Sequence, residues 1–416
     1  MKIEQAYCTF TGETVEVQRF KDHKKNIQNN VGQKYGTLWP TIYSGLDTSW
    51  KVHIPIIPER KIAEILGVSR VWIRYEGANE TGSMKDYLVK AAIKEGIENN
   101  SSAFTVVSSG NHAVSLAHYS KEAGKKCVIF VPATTSKLPI LRGFENALVI
   151  GIDNENHNVV FEDVYNFAQK IKIPCMYNAN VNNDFLMTQV VSASKQIVDA
   201  LNVNAMPTHI VAGVGNGSYV SGMIFGFDHL GFSGIKAVPV GMRGAFPTEE
   251  AFKMKKSYHE YSDFLFGEEH ISAAEGSIAL ESYSMPQLMH AVKKSNGFPL
   301  GNIMNQDIVK AYDLLVEHSK SFRLGFIPEP TGIMSLAAVL KHKHMFNKSD
   351  RLLLSFTGAG YKCVDDLKSY SGAHSSEIIA KIQEIPKCPE FDNFEPINIH
   401  ASPDGVKEVI MNFLTK

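Results

Sequence analysis

Val71-Trp72-Ile73-Arg74-Tyr75-Glu76-Gly77-Ala78-Asn79-Glu80-Thr81-Gly82-Ser83-Met84-Lys85-Asp86 passes through three kinds of local structure in one span. Val71–Tyr75 is a β-branched and aromatic run of strand length. Glu76–Ser83 is rich in glycine and polar residues and reads as a turn. From Lys85 to Glu98, Leu88, Ala91 and Ala92 fall on one face, which is the period of a helix. Strand, turn and helix in that order are the opening of a βαβ unit.

The alternation continues outward from this stretch. Phe104–Val107 is a strand before a helix at Asn111–Ala123, Cys127–Val131 a strand before a helix near Lys137–Asn146, and Ala147–Ile150 a strand before a helix at Asn158–Ile171. His209–Val211, a helix at Tyr219–Leu230 and Lys236–Val240 repeat the pattern. The fold class expected is therefore α/β, with mostly parallel sheets. Between Glu249 and Gly301 the pattern weakens into a polar, Ser-rich stretch, the mark of a surface excursion or lid. Helical period returns at Gln306–His318 and Ile333–Lys341, and Arg351–Phe356 reads as a buried strand. A polar break after Ser371 leads to a tail unit, Glu377–Lys416, with helical ends.

Composition narrows the partners. The chain has 416 residues, 42 Lys+Arg against 43 Asp+Glu, so it has no basic footprint for nucleic acid or an anionic membrane. No run approaches the roughly 18 apolar residues of a membrane-spanning helix, and Met1–Phe10 lacks a signal's apolar core. A cytoplasmic location is expected. The five cysteines are scattered without a C-x-x-C pair, which predicts free thiols rather than disulfides or a zinc ribbon. With no H-E-x-x-H and no G-x-S-x-G, neither a metal centre nor a serine hydrolase is expected, and His112 and His118 read as structural.

Ligands of open α/β sheets sit beyond the carboxyl ends of the strands, so the residues that follow each strand are the candidates. Lys85 lies in the first turn of its helix, where the macrodipole disfavours an ammonium and favours a nucleophilic amine. Alone, it is more readily a tolerated surface lysine than a functional one. Ser108-Ser109-Gly110-Asn111-His112 opens the next helix and can cradle an anion such as a carboxylate, although Asn111 could simply cap that helix. Gly213-Val214-Gly215-Asn216-Gly217-Ser218 lets the backbone approach a phosphate; it lacks the P-loop lysine and the dinucleotide spacing, and a glycine turn without a ligand remains an alternative. Glu329-Pro330-Thr331-Gly332 opens a helix, and Thr357 ends the last strong strand with its hydroxyl available.

Taken together, these loops resemble the fold-type II family of pyridoxal 5′-phosphate (PLP) enzymes, the tryptophan synthase β-like fold, and within it most closely the threonine synthases. Asn79-Glu80-Thr81-Gly82-Ser83-Met84-Lys85-Asp86 is similar to that family's Asn-Pro-Thr-Gly-Ser-Phe-Lys-Asp. The resemblance spans about residues 55 to 365. It implies that Lys85 is the Schiff-base lysine and the catalytic residue, and that Asn111 contacts the cofactor's 3′ oxygen. It further implies that Gly213, Val214, Gly215, Asn216 and Gly217 hold the phosphate, that Thr357 faces the ring nitrogen, and that Ser83, Ser108, Ser109, Gly110 and His112 bind substrate.

The resemblance implies two doubly wound α/β domains with the cofactor between them. Residues 1–99 and 186–370 would form the larger, 100–185 the smaller, and 371–416 a C-terminal extension. The activity it implies is a carbon–oxygen lyase acting on a hydroxy or phospho-hydroxy amino acid, with the threonine synthase reaction foremost. β-Replacement, dehydration or ammonia loss from serine, O-phosphoserine or threonine is the alternative, and a non-catalytic member of the fold a third. Two departures stand out: Tyr87 replaces the arginine that usually follows Lys-Asp, and Leu38-Trp39 lacks the usual Arg-Tyr. A substrate phosphate needs a further cation, for which Lys137, Arg142 and Arg243 are the candidates. The expected partners are a small-molecule amino acid and, as an option the sequence leaves open, a second copy in a homodimer.

Overall fold

Strands covered on both faces are almost continuously apolar. The runs read from the sequence are of this kind: Leu352, Leu353 and Leu354 are fully buried, as are Val128, Ile129 and Val131. The computed structural model describes residues 2–9, 13–16, 18, 38–108, 110–153, 164, 167–168, 170–171, 173, 176–180, 186–254, 273–278, 284–382 and 391–415. Its strands are β1 (Lys2–Cys8), β2 (Thr14–Glu16), β3 (Leu38–Ser44), β4 (Ile56–Pro58), β5 (Arg70–Tyr75), β6 (Ala103–Val107), β7 (Lys126–Pro132), β8 (Ala147–Asp153), β9 (Met176–Asn178), β10 (His209–Gly213), β11 (Lys236–Met242), β12 (Leu300–Ile303), β13 (Arg351–Phe356) and β14 (Phe394–Asn398).

The chain divides into two compact units, the first made of Met1–Asn79, Val181–Gly360 and Asp366–Ile382, the second of Glu80–Asn180, Tyr361–Asp365 and Gln383–Lys416. These bounds are not those read from the sequence, because the Lys85–Glu98 helix packs its Val89, Ala92 and Ile93 into the same core as Ala113, Leu116 and Ala117 of the Asn111–Glu122 helix.

In the first unit the main sheet runs β12-β11-β10-β13-β5-β4. All its pairings are parallel except that of β4 with β5. Ala212 of β10 pairs with Ser355 of β13, so Gly213 and Thr357 emerge from the same edge of adjacent strands. A small antiparallel sheet, β2-β1-β3, completes the unit.

Among the described residues the second unit has one sheet, β14-β8-β7-β6-β9, in which every pairing is parallel. Phe104, Val106, Ile129, Val131 and Val149 form its core with the two helices named above. Each such side chain contributes about 1.5–3 kcal/mol by leaving water.

The helix expected near Lys137–Asn146 is only Leu138–Leu141, with Pro139 in its first turn and Gly143 soon after its end. The helix expected at Asn158–Ile171 falls mostly outside the described residues. Within the stretch Glu249–Gly301 the described residues include the helix Met285–Lys294 and most of the helix Pro247–Met254. Cys8, Cys127 and Cys363 are buried and form no disulfide, and Cys175 and Cys388 lie outside the described residues. Among the described residues no helix is long and apolar enough to cross a membrane.

Candidate active site

In the second unit, the loop before Lys85 is tied down from both ends. Asp86 is fully buried and accepts hydrogen bonds from the Thr81 amide (2.9 Å), the Thr81 hydroxyl and the Ser115 hydroxyl (2.7 Å). The ammonium of Lys362, itself 3% exposed, donates to the Thr81 carbonyl (3.0 Å). Ser83 is buried, and its hydroxyl accepts from the Lys85 amide at 3.3 Å. Lys85 is thereby held, half-buried, as the first residue of the Lys85–Glu98 helix.

Next along the chain is the Ser108–His112 turn. The Ser108 amide donates to Phe130 of the neighbouring strand (3.0 Å) and the Gly110 amide to the Ser108 hydroxyl (3.1 Å). Asn180 brackets the end of β6 with two 2.8 Å bonds to the Val107 backbone. Gly110 occupies the cap position of the Asn111–Glu122 helix and no side chain closes it, so the capping role considered for Asn111 does not hold. Asn111 is instead the first helical residue, half-buried; Ser109 lies outside the described residues.

His112 is 6% exposed, and its Nε2 has no hydrogen-bond partner among the described residues. Burial first, and then the charge of Lys85, push its pKa down to about 3, against a hydrogen bond with the Ala179 backbone that works the other way. His112 is therefore neutral at physiological pH. Its response to Lys85 puts the lysine and the turn in one neighbourhood.

The first unit holds the remaining candidates. The Val214 amide donates to Val240 at 2.9 Å, which fixes the start of the Gly213–Gly217 turn. A Cβ on Gly213 would sit 2.6 Å from the Thr331 carbonyl oxygen, and Gly217 adopts a left-handed φ of 86°. The helix Ser218–His229 that follows has no side-chain cap. Thr357 is 4% exposed; its amide nitrogen lies 3.2 Å from where a Gly332 Cβ would be, so Gly213, Thr331–Gly332 and Thr357 form one neighbourhood. The Thr357 hydroxyl is buried without a hydrogen-bond partner among the described residues.

Beneath this edge is a buried network that no local sequence signal announces. Arg74 and Tyr219 each donate to the Glu76 carboxylate at 2.6 Å, and Asn79 donates to its other oxygen at 2.8 Å. Asp86 closes the motif that begins at Asn79, but its hydrogen-bond partners, 5 and 29 residues away, are not legible in the sequence.

PLP requires an amine for its aldehyde, an anion cradle for its phosphate and a partner for its ring nitrogen. The residues fit. A buried hydroxyl without a partner costs about 1–3 kcal/mol unless a ligand atom meets it, and Thr357 is such a group. The Gly213–Gly217 turn, at an uncapped helix start, is backbone shaped for a phosphate.

Known proteins agree with this. The chain is 26% identical to threonine synthase of Methanocaldococcus jannaschii over 321 residues, 75% of each chain. It is 28% identical to threonine synthase of a Bacillus species over 339 residues, 80% of this chain and 89% of that one. In fold it matches maize serine racemase with a TM-score of 0.58 at 18% identity, over 81% of this chain and 92% of that one. Residues 52–358 match the profile of the pyridoxal-phosphate dependent enzymes, and with most of its length so matched the chain belongs to that family, of fold type II, with pyridoxal 5′-phosphate as its cofactor.

Proposed function

We propose that this enzyme removes or replaces the oxygen substituent of a hydroxy or phospho-hydroxy amino acid, with the conversion of O-phosphohomoserine and water to threonine and phosphate as the reaction it fits best. Bound PLP supplies an electron sink at the substrate's Cα. The observation that carries the reading is the Thr357 hydroxyl, a neutral group, buried and without a partner, at a strand end. A neutral partner for the ring nitrogen, in place of a carboxylate, favours elimination and replacement over transamination. The threonine synthase likeness of the curated relatives supports the choice of substrate.

In this reading Lys85 would hold the cofactor through its aldehyde, and its amine would move protons at the substrate's Cα and Cβ. Gly213, Val214, Gly215, Asn216 and Gly217 hold the phosphate, Asn111 the 3′ oxygen, and Ser83, Ser108, Ser109, Gly110 and His112 the substrate.

A second reading, action on unphosphorylated serine or threonine, is favoured by Tyr87. This side chain is 1% exposed and uncharged where threonine synthases carry arginine. The purified protein is expected to be yellow, and to lose that absorption on hydride reduction and in Lys85→Ala. O-phosphohomoserine, O-phosphoserine, threonine and serine would then be assayed for release of phosphate, 2-oxo acid or ammonia. A colourless protein that PLP cannot reconstitute would overturn both readings; 2-oxo acid and ammonia from serine or threonine, with no phosphate released from either ester, would select the second.

A further inference from the structure

At position 80 the chain departs from the motif it otherwise follows, with a glutamate where Asn-Pro-Thr-Gly-Ser-Phe-Lys-Asp has proline. The carboxylate of Glu80 reaches the Asn111–Glu122 helix. Its Oε2 accepts from the Tyr119 hydroxyl at 2.9 Å and lies 3.7 Å from Nε2 of His118. Glu122, one turn beyond His118 on the same helix face, brings its Oε1 to 3.6 Å from that nitrogen. One ligand atom from each of the three side chains lies within 4.8 Å of the other two.

These separations are too long for hydrogen bonds. They are close to those around a metal, since two ligands about 2.1 Å from a tetrahedral ion stand about 3.4 Å apart. An independent observation points the same way: His118 Nε2 is shielded from water and has no hydrogen-bond partner among the described residues. Such an atom costs stability unless a ligand meets it. The structural role expected for His118 from the sequence misses this, because Glu80 joins it only through the fold.

His374 in the first unit provides a contrast. Its Nδ1 lies 3.4 Å from Glu377, and its Nε2 3.7 Å from Glu317 and 4.0 Å from Asp313. Carboxylates face both ring nitrogens there, so the ring can serve as a donor at each. At His118 two carboxylates converge on one nitrogen, as ligands do around a shared ion.

We infer that Glu80, His118 and Glu122 form a site for a zinc-class divalent metal, which clamps the loop preceding Lys85 to the Asn111–Glu122 helix. One imidazole nitrogen with two carboxylate oxygens is a zinc donor set, whereas calcium and magnesium take six or more oxygens. The side chains of Glu80, His118 and Glu122 are 34%, 33% and 56% exposed, so water can complete the coordination. The Tyr119 hydroxyl orients the Glu80 carboxylate from outside the ligand set. Lys90, with its ammonium 3.6 Å from the same Glu80 oxygen, opposes a cation, but two carboxylates outweigh it. The inference does not depend on which amino acid the enzyme acts on.

The test uses PLP-loaded protein, freed of unbound cofactor and stripped of metal by a chelator, in equilibrium dialysis against zinc. At about 10 μM zinc, wild type is expected to bind one more equivalent than His118→Gln or Glu122→Gln, each of which weakens the site at least about 10-fold. Lys90→Gln removes the opposing charge and should tighten it by about 3-fold. His374→Gln should leave uptake unchanged. Zinc should also raise the unfolding temperature of wild type by about 2 °C or more and leave that of His118→Gln unchanged.

Equal uptake by wild type and His118→Gln would overturn the inference, as would loss of uptake in His374→Gln instead. Magnesium held as tightly as zinc would reduce the cluster to an acidic patch and overturn it too. Should His118→Gln fail to fold, Lys90→Gln decides alone, and unchanged or weaker zinc binding in that variant would refute the site.

Discussion

His112 must stay uncharged in the folded protein, and this gives stability a pH dependence of known sign. Its folded pKa of about 3 lies below the ordinary 6.5, so between these values the unfolded chain binds a proton that the folded one does not. Its contribution is complete above pH 6.5 and is lost as pH falls toward 3. His209 and His290, each lowered to about 4, add slopes of the same sign. The stability of wild type, from urea denaturation at pH 7 and pH 4.5, should therefore fall more steeply than that of His112→Gln. Parallel losses in the two proteins would show that the imidazole is not shielded as described. Single residues differed in how far the sequence announced them. Lys85 and Thr357 were legible because each closes a local strand–turn–helix or strand–turn pattern. The packing of Lys137 against Gly110 was not legible, since it depends on the pairing of β6 with β7.

At the scale of elements, Asp86 decides whether the loop and two helices act as one piece. Its buried carboxylate accepts three hydrogen bonds, joining the start of its own helix to Thr81 in the loop and to Ser115 one turn into the next helix. Asp86→Ala leaves three buried donors unsatisfied and should cost about 3 kcal/mol or more in chemical denaturation, whereas Ser115→Ala removes one bond and should cost about 1 kcal/mol. Similar losses for the two variants would mean that the Thr81 bonds contribute nothing. The elements themselves were legible where burial on both faces imposes apolar runs: Arg351–Phe356 and Lys85–Glu98 are found with the bounds read from the sequence. They were illegible where a strand lies at an edge. Phe394-Glu395-Pro396-Ile397-Asn398 carries a proline, which an edge strand tolerates but which breaks the strand reading of the sequence. β3, with Pro40, is hidden for the same reason.

At the scale of the whole chain, the last residues belong to the second unit and are not an appendage to it. β14 pairs in parallel with β8 from Phe394 opposite Val149 to Asn398 opposite Asp153. Asn393 donates from one amide nitrogen to the carbonyls of Phe144 (2.9 Å) and Ala147 (3.0 Å), anchoring the strand at its entry. The helix Pro403–Thr415 then buries Val406 and Ile410, and Lys126 donates to the Phe413 carbonyl near its end at 2.9 Å. Removing residues 383–416 would strip the apolar cover and leave β8 as an open edge, with unpaired backbone groups beside fully buried Val149 and Ile150. The truncated protein should lose more than about 5 °C in unfolding temperature, since several kcal/mol are withdrawn from a unit of this size, and should aggregate through the exposed strand. Scanning calorimetry with light scattering separates the possibilities: an unchanged transition without scattering would mean that the tail is dispensable to the fold. Phe394→Ala tests the same contact in the full-length chain, because its ring covers Gly151 of β8, and should reproduce part of the loss.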